Sequence, residues 1–190
     1  MEGGSLGLFG FGRIGQEVAK RAVSMLGETG RLLVYDVRSD IHEVAAQYGA
    51  EVVDNPKALF EQCDTVSIHV AGDDTIVTYD LLCAMQPHAS LINPSRGNLV
   101  DDEAVNRAIR ENRLYYYVVD DPANGPRAIH EGHPRVICTN HNAGITIGSV
   151  KRLDACTFKQ VTDAVEGRLP EHILNTPVLE HPRVKEFYNL

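Results

Sequence analysis

Several features that would assign this chain of 190 residues to other protein classes are missing. No apolar run is long enough to cross a membrane, and the first residues lack the basic and apolar regions of a secretory signal. The net charge is −8 without a cluster of lysine and arginine, so we expect neither nucleic acid nor membrane as a partner. The four cysteines form no C-x-x-C pair, which predicts free thiols in a reducing cytoplasm, without a disulfide or a metal site: Cys63, Cys83, Cys138 and Cys156.

Short apolar runs alternate with helical patterns along the whole chain. This alternation predicts an α/β fold, a doubly wound parallel sheet of βαβ units of the Rossmann dinucleotide-binding type. The predicted strands are 6–9, 32–35, 51–53, 65–70, 90–93, 114–119 and 136–138. The predicted helices are 14–26, 42–48, 56–62, 80–85, 103–112 and 149–167. We predict one nucleotide-binding domain over 1–168 and a tail over 169–190, which has three prolines and no clear period.

A glycine fingerprint, G-F-G-R-I-G, lies between the first predicted strand and the first predicted helix. In this context the first glycine permits a tight turn and the second lets the backbone approach a pyrophosphate. The third lets helix and strand pack closely, and the start of the helix offers free amides to phosphates. The predicted cofactor-binding residues of this segment are Gly10, Gly12, Arg13, Ile14 and Gly15.

An acidic residue, Asp36, ends the second predicted strand 21 residues after Gly15. From this position a carboxylate hydrogen-bonds an adenosine ribose and repels a 2′-phosphate, so the cofactor predicted is NAD and not NADP. Arg38 would soften that preference, and a plain turn residue is the alternative interpretation of Asp36. A methyltransferase shares such glycines and such an acid, so these residues predict a nucleotide without fixing a reaction.

Four later segments narrow the choice of reaction. They read S-I-H at 67–69, L-I-N-P-S-R-G-N-L-V-D at 91–101, V-V-D at 118–120 and T-N-H-N-A-G at 139–144. Together with the fingerprint they resemble the NAD-binding domain of the D-isomer-specific 2-hydroxyacid dehydrogenases over roughly residues 6–175. The resemblance implies that Arg96 clamps the substrate carboxylate and that His141 is the general acid/base. It also implies cofactor contacts for Asn93, Pro94, Ser95, Asp120 and Gly144, with Asp120 near the nicotinamide carboxamide.

The chemistry of 2-keto acid reduction explains these residue types. The planar guanidinium of Arg96 suits a carboxylate, and a histidine at position 141 suits proton transfer to an alkoxide, because the unperturbed pKa of that residue type lies near neutrality. The alternative interpretations are that Arg96 caps a helix or pairs with Asp101 or Asp102, and that His141 is an ordinary loop residue.

Two departures from the family pattern weaken the enzyme interpretation. The family usually has a glutamate that holds the catalytic histidine, five residues after the aspartate, but Gly125 stands there. Glu131 lies in the same loop, and sequence alone does not show whether it reaches His141. The segment 70–75 also differs from the family and is about three residues short, and His69 before it is interpreted as a strand-end residue.

Two functions of different classes therefore stay open. The first is the NAD-binding domain of an oxidoreductase acting on a 2-hydroxy or 2-keto acid. Because the fingerprint lies almost at residue 1, we expect such a chain alone to bind cofactor and to turn over poorly. The second is an NAD(H)-sensing or degenerate dehydrogenase-like module without turnover. By resemblance we expect a homodimer that associates through helices 103–112 and 149–167.

Overall fold

The computed structural model describes residues 3–123, 125 and 127–190. Within these residues seven strands form one parallel sheet in the order β3-β2-β1-β4-β5-β6-β7. The strands are β1 Ser5–Phe9, β2 Arg31–Tyr35, β3 Glu51–Val52, β4 Thr65–Ile68, β5 Ser90–Asn93, β6 Tyr116–Val119 and β7 Val136–Cys138. The helices are α1 Arg13–Leu26, α2 Ile41–Ala46, α3 Pro56–Gln62, α4 Tyr79–Ala84, α5 Asp102–Arg110, α6 Ile147–Val165 and α7 Pro182–Tyr188. The doubly wound α/β fold is thus confirmed, and the predicted strands differ from the observed ones only at their ends.

The central strand β1 feeds two apolar cores because successive side chains point to opposite faces of a sheet. Leu6 and Leu8 pack with α1 and α2 on one face. Phe9 packs with α3 and α4 on the other face, where Gly7 lies against Leu59. Each fully buried aliphatic or aromatic side chain contributes about 1.5–3 kcal/mol, so both faces of β1 hold the sheet between its helices.

The position of the cleft follows from the strand order. The chain runs from β1 outward to β3, then returns to place β4 on the other side of β1. At such a switch point the loops after the two strands diverge and leave a crevice at the carboxyl ends of the strands. The glycine fingerprint follows β1 and His69 follows β4, so both lie at this crevice.

Local capping explains where two of the helices begin. Asn55 accepts a hydrogen bond from the Ala58 amide at 2.9 Å with Pro56 in the first turn, as the sequence predicts for α3. Asp101 accepts from the Ala104 amide at 3.1 Å, so α5 begins at Asp102, one residue before the prediction. Across the described parts of the chain, every helix falls short of the length and apolarity that crossing a bilayer needs.

The chain divides into two compact units, Met1–Ala143 and Gly144–Leu190. The second unit contains α6, a 3-10 turn at Thr176–Glu180 and α7. The tail 169–190, whose sequence has no clear period, contains α7, which begins at Pro182 after the cap residue His181 and is followed by Asn189 in the left-handed conformation. The predicted boundary at residue 168 stays a prediction.

Candidate cofactor and active site

The glycine turn after β1 has the backbone that its motif predicts. Gly10 has φ of +94°, and a Cβ there would lie 2.7 Å from the His69 carbonyl, so only glycine fits between β1 and β4. A Cβ on Gly15 would lie 2.5 Å from the Gly10 carbonyl oxygen, which explains the close packing of α1. A Cβ on Gly12 would meet nothing within 4 Å, so the turn borders open space there. That space is where a pyrophosphate could approach the backbone.

The first turn of α1 is exposed to the same space. Gly12 is the N-cap, no side chain caps the helix, and no acidic residue lies in the first turn. Arg13 is exposed, and Ile14 is 69% exposed although it is a large apolar residue. An uncapped helix start with a positive dipole end and exposed residues around it suits an anionic ligand.

Asp36 is held at the end of β2 by two backbone amides. Its Oδ2 accepts from the Phe11 amide at 2.6 Å, and its Oδ1 accepts from the Arg38 amide at 3.0 Å. The ring of Phe11 is buried and packs edge-on against Tyr48, with ring centroids 5.4 Å apart. The carboxylate is therefore fixed beside the glycine turn, and each of its oxygens keeps a second acceptor position.

A cleft of about 600 Å³ lies between the ends of β1, β2 and β4. Its walls are mainly apolar and carry the Asp36 carboxylate: Phe9, Gly10, Gly12, Tyr35, Asp36, Val37, Pro56, His69, Val70, Ala71 and Ile76. A concave apolar site with one fixed polar group is typical of a ligand pocket. The open space at Gly12, the uncapped start of α1 and this cleft together fit a dinucleotide.

His69 stands at the end of β4, as predicted, and it also lines this cleft. Burial lowers the pKa of its imidazole to about 4, so the ring is neutral at pH 7. Its Nε2 lies 3.0 Å from Ser67 Oγ. The shortened segment that follows also contributes to the cleft through Val70 and Ala71, although its sequence departs from the family. In the sequence, the only signal that His69 lines the cleft is its position at the end of a predicted strand, because ligands bind at the carboxyl ends of parallel strands.

The loop after β5 is folded by a buried amide side chain. Asn93 is 1% exposed, donates through Nδ2 to the Arg96 carbonyl at 2.7 Å and accepts from the Ser95 amide at 3.1 Å. Ser95 Oγ donates to the Ile68 carbonyl at 2.8 Å, which fastens the loop to β4. Asn93 and Ser95 therefore shape the loop, with Pro94 half-buried between them.

Arg96 leaves this loop as an exposed side chain. Its Nη1 donates to the Ser95 carbonyl at 2.8 Å, and no ion pair joins it to any residue that the structure describes. The alternative pairing with Asp101 or Asp102 is wrong, because Asp101 caps α5 and Asp102 binds Arg127 and His130. The guanidinium is thus available to an anionic ligand.

A buried ionic cluster behind Arg96 was not predicted from the sequence. Arg127 is 6% exposed, binds Asp102 through Nη1, donates to Asn98 Oδ1 at 2.5 Å and lies 3.4 Å from Asp121 Oδ2. His130, 2% exposed, lies between Asp102 Oδ1 at 2.9 Å and Asn106 Oδ1 at 3.1 Å. We call these residues the Arg127 cluster: Asn98, Asp102, Asn106, Asp121, Arg127 and His130.

The Arg127 cluster supports the loop that carries Arg96. Gly97 lies against it so closely that a Cβ would come within 2.8 Å of Arg127 Nε and would also collide with Asp121. The cluster joins the start of α5, the end of β6 and the loop after β6. It therefore fixes Gly97 and, with it, the backbone from which Arg96 projects.

Asp120 holds the loop that carries His141. Its Oδ1 accepts from Thr139 Oγ1 and from the Asn142 amide at 2.9 Å, and its Oδ2 accepts from the Ala143 amide at 2.9 Å. Burial opposes ionisation of this carboxyl, but these three hydrogen bonds hold its pKa below its usual value. His141, in the middle of the loop, is exposed and has φ of +52°, a left-handed conformation uncommon outside glycine.

No described carboxylate lies within ion-pair distance of the His141 imidazole. Gly125 is exposed and has no side chain to offer, and Glu131 is exposed at the end of the short 3-10 turn Ala128–His130. Gly144 begins the second unit and is described with it. The first unit thus brings together Gly10, Gly12 and Asp36 at the cleft, with Arg96 and Asp120 following neighbouring strands.

Comparison with known proteins assigns this arrangement to a family. The family model for the D-isomer specific 2-hydroxyacid dehydrogenase NAD-binding domain matches residues 1–143, most of the chain. The chain belongs to this family. Its cofactor is accordingly NAD, in agreement with the glycine turn and Asp36.

Relatives with known activities cover the chain almost completely. It is 31% identical over 186 residues to a glyoxylate reductase of Thermococcus litoralis, covering 94% of this chain and 54% of that protein. It is 28% identical over 183 residues to a D-3-phosphoglycerate dehydrogenase of Methanocaldococcus jannaschii, covering 92% of this chain and 34% of that protein. The chain thus spans between a third and just over half of the length of these relatives.

Solved structures show the same fold. A D-lactate dehydrogenase of Lactobacillus jensenii with NAD+ superposes with a TM-score of 0.78 at 24% identity, covering 90% of this chain and 56% of that one. A formate dehydrogenase of Granulicella superposes with a TM-score of 0.80 at 22% identity, covering 90% and 46%. The chain is therefore similar to about half of each of these dehydrogenases.

Proposed function

We propose that this chain is the cofactor-binding part of an oxidoreductase that interconverts 2-hydroxy acids and 2-keto acids. The observation that carries the proposal is the free guanidinium of Arg96 at the carboxyl end of the sheet that also bears the glycine turn and Asp36. Family membership supports the reaction class, since relatives named as glyoxylate reductase and D-3-phosphoglycerate dehydrogenase match the chain.

The cofactor would be held by the glycine turn and its surroundings. Gly12, with Arg13 and Ile14, would face the pyrophosphate, while Gly10 and Gly15 shape the turn that presents them, and Asp36 would hydrogen-bond the adenosine ribose. Pro94, Asp120 and Gly144, with Asn93 and Ser95, are proposed to border the nicotinamide half. When bound, the nicotinamide ring supplies or accepts the hydride.

Arg96 is proposed as the clamp for the substrate carboxylate. Its planar fork can form two parallel hydrogen bonds to a carboxylate, which orients a 2-keto acid as well as binding it. In Arg96→Lys the charge stays and the fork is lost, so this variant tests orientation and Arg96→Ala tests charge.

His141 is proposed as the acid/base that protonates the alkoxide during reduction. Its exposed imidazole and the fixed loop around it support this role. Since no described carboxylate orients the ring, its tautomer is less controlled than in an enzyme with a His–carboxylate pair, where that control contributes orders of magnitude in rate.

We further propose that these 190 residues alone turn over slowly. The chain spans only 54% of the T. litoralis relative, and by resemblance the substrate cleft of the family lies between two domains. The test is calorimetry with NAD, NADH and S-adenosylmethionine, followed by NADH oxidation with glyoxylate, pyruvate and hydroxypyruvate. Binding of NADH with negligible oxidation is expected. Rapid oxidation contradicts slow turnover, and binding of S-adenosylmethionine without NAD contradicts the cofactor site.

The second candidate is a binding module that holds NAD(H) without turnover. No described carboxylate lies within ion-pair distance of the His141 imidazole, and this observation favours it, with Gly125 in the position of the family glutamate. The test joins the chain to the remaining part of an enzyme of this family. If the chain is the cofactor-binding part of an oxidoreductase, the joined protein is expected to oxidise NADH with a 2-keto acid. A complex that binds NADH and 2-keto acid and still does not oxidise NADH supports the module.

A homodimer is proposed as the assembly. Within its own unit α6 exposes a row of apolar side chains, among them Ile147 at 80%, Phe158 at 75% and Val165 at 77%. Such a row on one helix is typical of an interface. Light scattering after size exclusion is expected to give twice the monomer mass, and Phe158→Glu is expected to give a monomer that still binds NAD.

A cytoplasmic location is also proposed. The structure describes all four cysteines as free, and Cys63 lies fully buried in the core with its thiol pKa raised to about 12 by burial. Unpaired thiols are usual in a reducing compartment.

A further inference from the structure

Arg38 lies at the edge of the cofactor cleft, two residues after Asp36. Its Nη1 is 3.4 Å from the carbonyl oxygen of Phe11, the residue whose amide donates to Asp36. Its own amide donates to Asp36 Oδ1. The guanidinium is therefore close to the carboxylate that faces the adenosine ribose.

Asp40 holds this guanidinium with both of its oxygens. Arg38 Nε donates to Asp40 Oδ1 at 2.5 Å, and Nη2 donates to Oδ2 at 2.8 Å. The pair is bidentate, so two of the donors that would fit a phosphate are already filled. The hydrogen bonds raise the pKa of Arg38 and lower the pKa of Asp40, so both side chains stay charged.

Neither helix capping nor a contribution to stability explains the ion pair of Arg38 and Asp40. Asp40 is the N-cap residue of α2, where an aspartate usually accepts an amide of the first turn, yet its side chain makes no capping hydrogen bond. Arg38 and Asp40 side chains are 34% and 49% exposed, and ion pairs with that exposure contribute little to stability. The carboxylate of Asp40 is directed to Arg38 instead.

NADP differs from NAD by a 2′-phosphate on the adenosine ribose, and an arginine near that ribose is the group that accommodates it. We propose that Asp40 is a positioning residue that holds Arg38 away from a 2′-phosphate, so that discrimination against NADP depends on Asp36 and Asp40 together. The proposal deepens the NAD site and rests on it. Without Asp40, Arg38 is an unpaired cation beside the ribose position and attracts the phosphate.

The test measures dissociation constants of NAD+ and NADP+ by calorimetry for the chain, Asp40→Asn, Arg38→Ala and the double variant. In Asp40→Asn we expect NADP+ to bind about tenfold tighter, as one new charge-assisted contact gives, with NAD+ changed less than about threefold. In the double variant the gain is expected to disappear, because the cation that attracts the phosphate is gone.

Glu43→Gln is the matched control, since it removes one exposed negative charge from the first turn of the same helix. It is expected to leave the NADP+ constant within about threefold of the unsubstituted chain. Equal tightening in Glu43→Gln, or tightening that persists without Arg38, attributes the effect to net charge and overturns the proposal.

Two further outcomes separate this proposal from the site on which it rests. An unchanged NADP+ constant in Asp40→Asn, with normal NAD+ binding, overturns the role of Asp40 and leaves the cofactor site intact. Failure of the unsubstituted chain to bind NAD+ overturns both the cofactor site and the role of Asp40. Tighter binding of NADP+ than of NAD+ by that chain overturns the proposed discrimination against NADP.

Discussion

Two halves of the sheet fix their candidate site residues by different means. We call β1 to β3, which carry the glycine turn and Asp36, the nucleotide half, and β5 to β7, which carry the proposed substrate residue Arg96, the substrate half. In the nucleotide half the backbone fixes these residues: Gly10 makes the turn, and the amides of Phe11 and Arg38 hold Asp36. In the substrate half buried side chains do so, since Asn93 folds one loop and the Arg127 cluster supports it. The first arrangement follows from a short motif, whereas the second needs partners that are distant in the sequence.

The largest effect is expected from a substitution in the Arg127 cluster, which lowers the stability of the substrate half. Arg127→Met removes the arginine of the Arg127 cluster, so that Asp121 loses its ion-pair partner and Asp102 keeps only His130. Removing one member of a buried ion pair costs about 3–5 kcal/mol. We expect a loss of that size in the free energy of unfolding, measured in urea with the slope unchanged.

The control for this variant is Arg110→Met, which removes an exposed arginine from the end of α5. It is expected to change the free energy of unfolding by less than about 0.5 kcal/mol. A loss below about 1 kcal/mol in Arg127→Met would mean that the cluster does not hold the substrate half together.

The next largest effect is expected from a substitution in the glycine turn of the nucleotide half. Gly10→Ala places a methyl group 2.7 Å from the His69 carbonyl at a φ of +94°. A strained backbone of this kind costs about 1–3 kcal/mol, so we expect that loss of stability together with loss of NAD binding. Chemical denaturation and calorimetry measure the two effects.

Gly12→Ala is the matched variant because its new Cβ meets nothing within 4 Å. Stability is expected to stay within about 0.5 kcal/mol while NAD binding weakens, because the methyl group occupies the space proposed for the pyrophosphate. If Gly12→Ala binds NAD as tightly as the unsubstituted chain, the pyrophosphate does not bind at this turn.

The comparison also explains how much the sequence could predict. The strands, the glycine turn and Asp36 follow from local periodicity and from one motif, and the structure has them in place. Arg127 contacts Asn98 and Asp102 from 29 and 25 residues away, in a loop without a period, so no local signal indicated it. For His69 the local pattern predicts the end of a strand, but its place in the cleft depends on the pairing of β1 with β4, which lie far apart in the sequence.

A smaller effect loosens the loop of His141. Asp120→Asn keeps the size of the side chain but replaces one acceptor oxygen with a donor, so the amides of Asn142 and Ala143 cannot both keep their bonds. Hydrogen bonds to a charged group contribute about 1.5–3 kcal/mol each, and partial exposure of Asp120 lowers this to about 1–2 kcal/mol. Faster hydrogen exchange at both amides, with β6 unchanged, is the expected result. Unchanged exchange would show that the left-handed His141 is fixed by something else.

The smallest effect is expected at the opposite end of the sheet, where Asp64 joins β1 of the nucleotide half to β4, the strand between the two halves. Asp64 accepts hydrogen bonds from His88 and from the amide and hydroxyl of Ser5, and these lower its pKa to about 2. Because the folded pKa lies below the unfolded value near 3.9, this stabilisation is present above pH 4 and is lost as the pH falls towards 2.

Since the Asp64 side chain is 45% exposed, solvent screening limits its contribution to less than about 1 kcal/mol. Asp64→Asn is therefore expected to flatten the acid limb of the unfolding free energy between pH 4 and 2. NAD binding at pH 7 is expected to stay the same, because Asp64 joins the amino ends of β1 and β4 and the cleft lies at their carboxyl ends. Weaker NAD binding in this variant would mean that contacts at both ends of β1 and β4 set the distance between these strands. Side-chain contacts would then help to position the site of the nucleotide half, as they do in the substrate half.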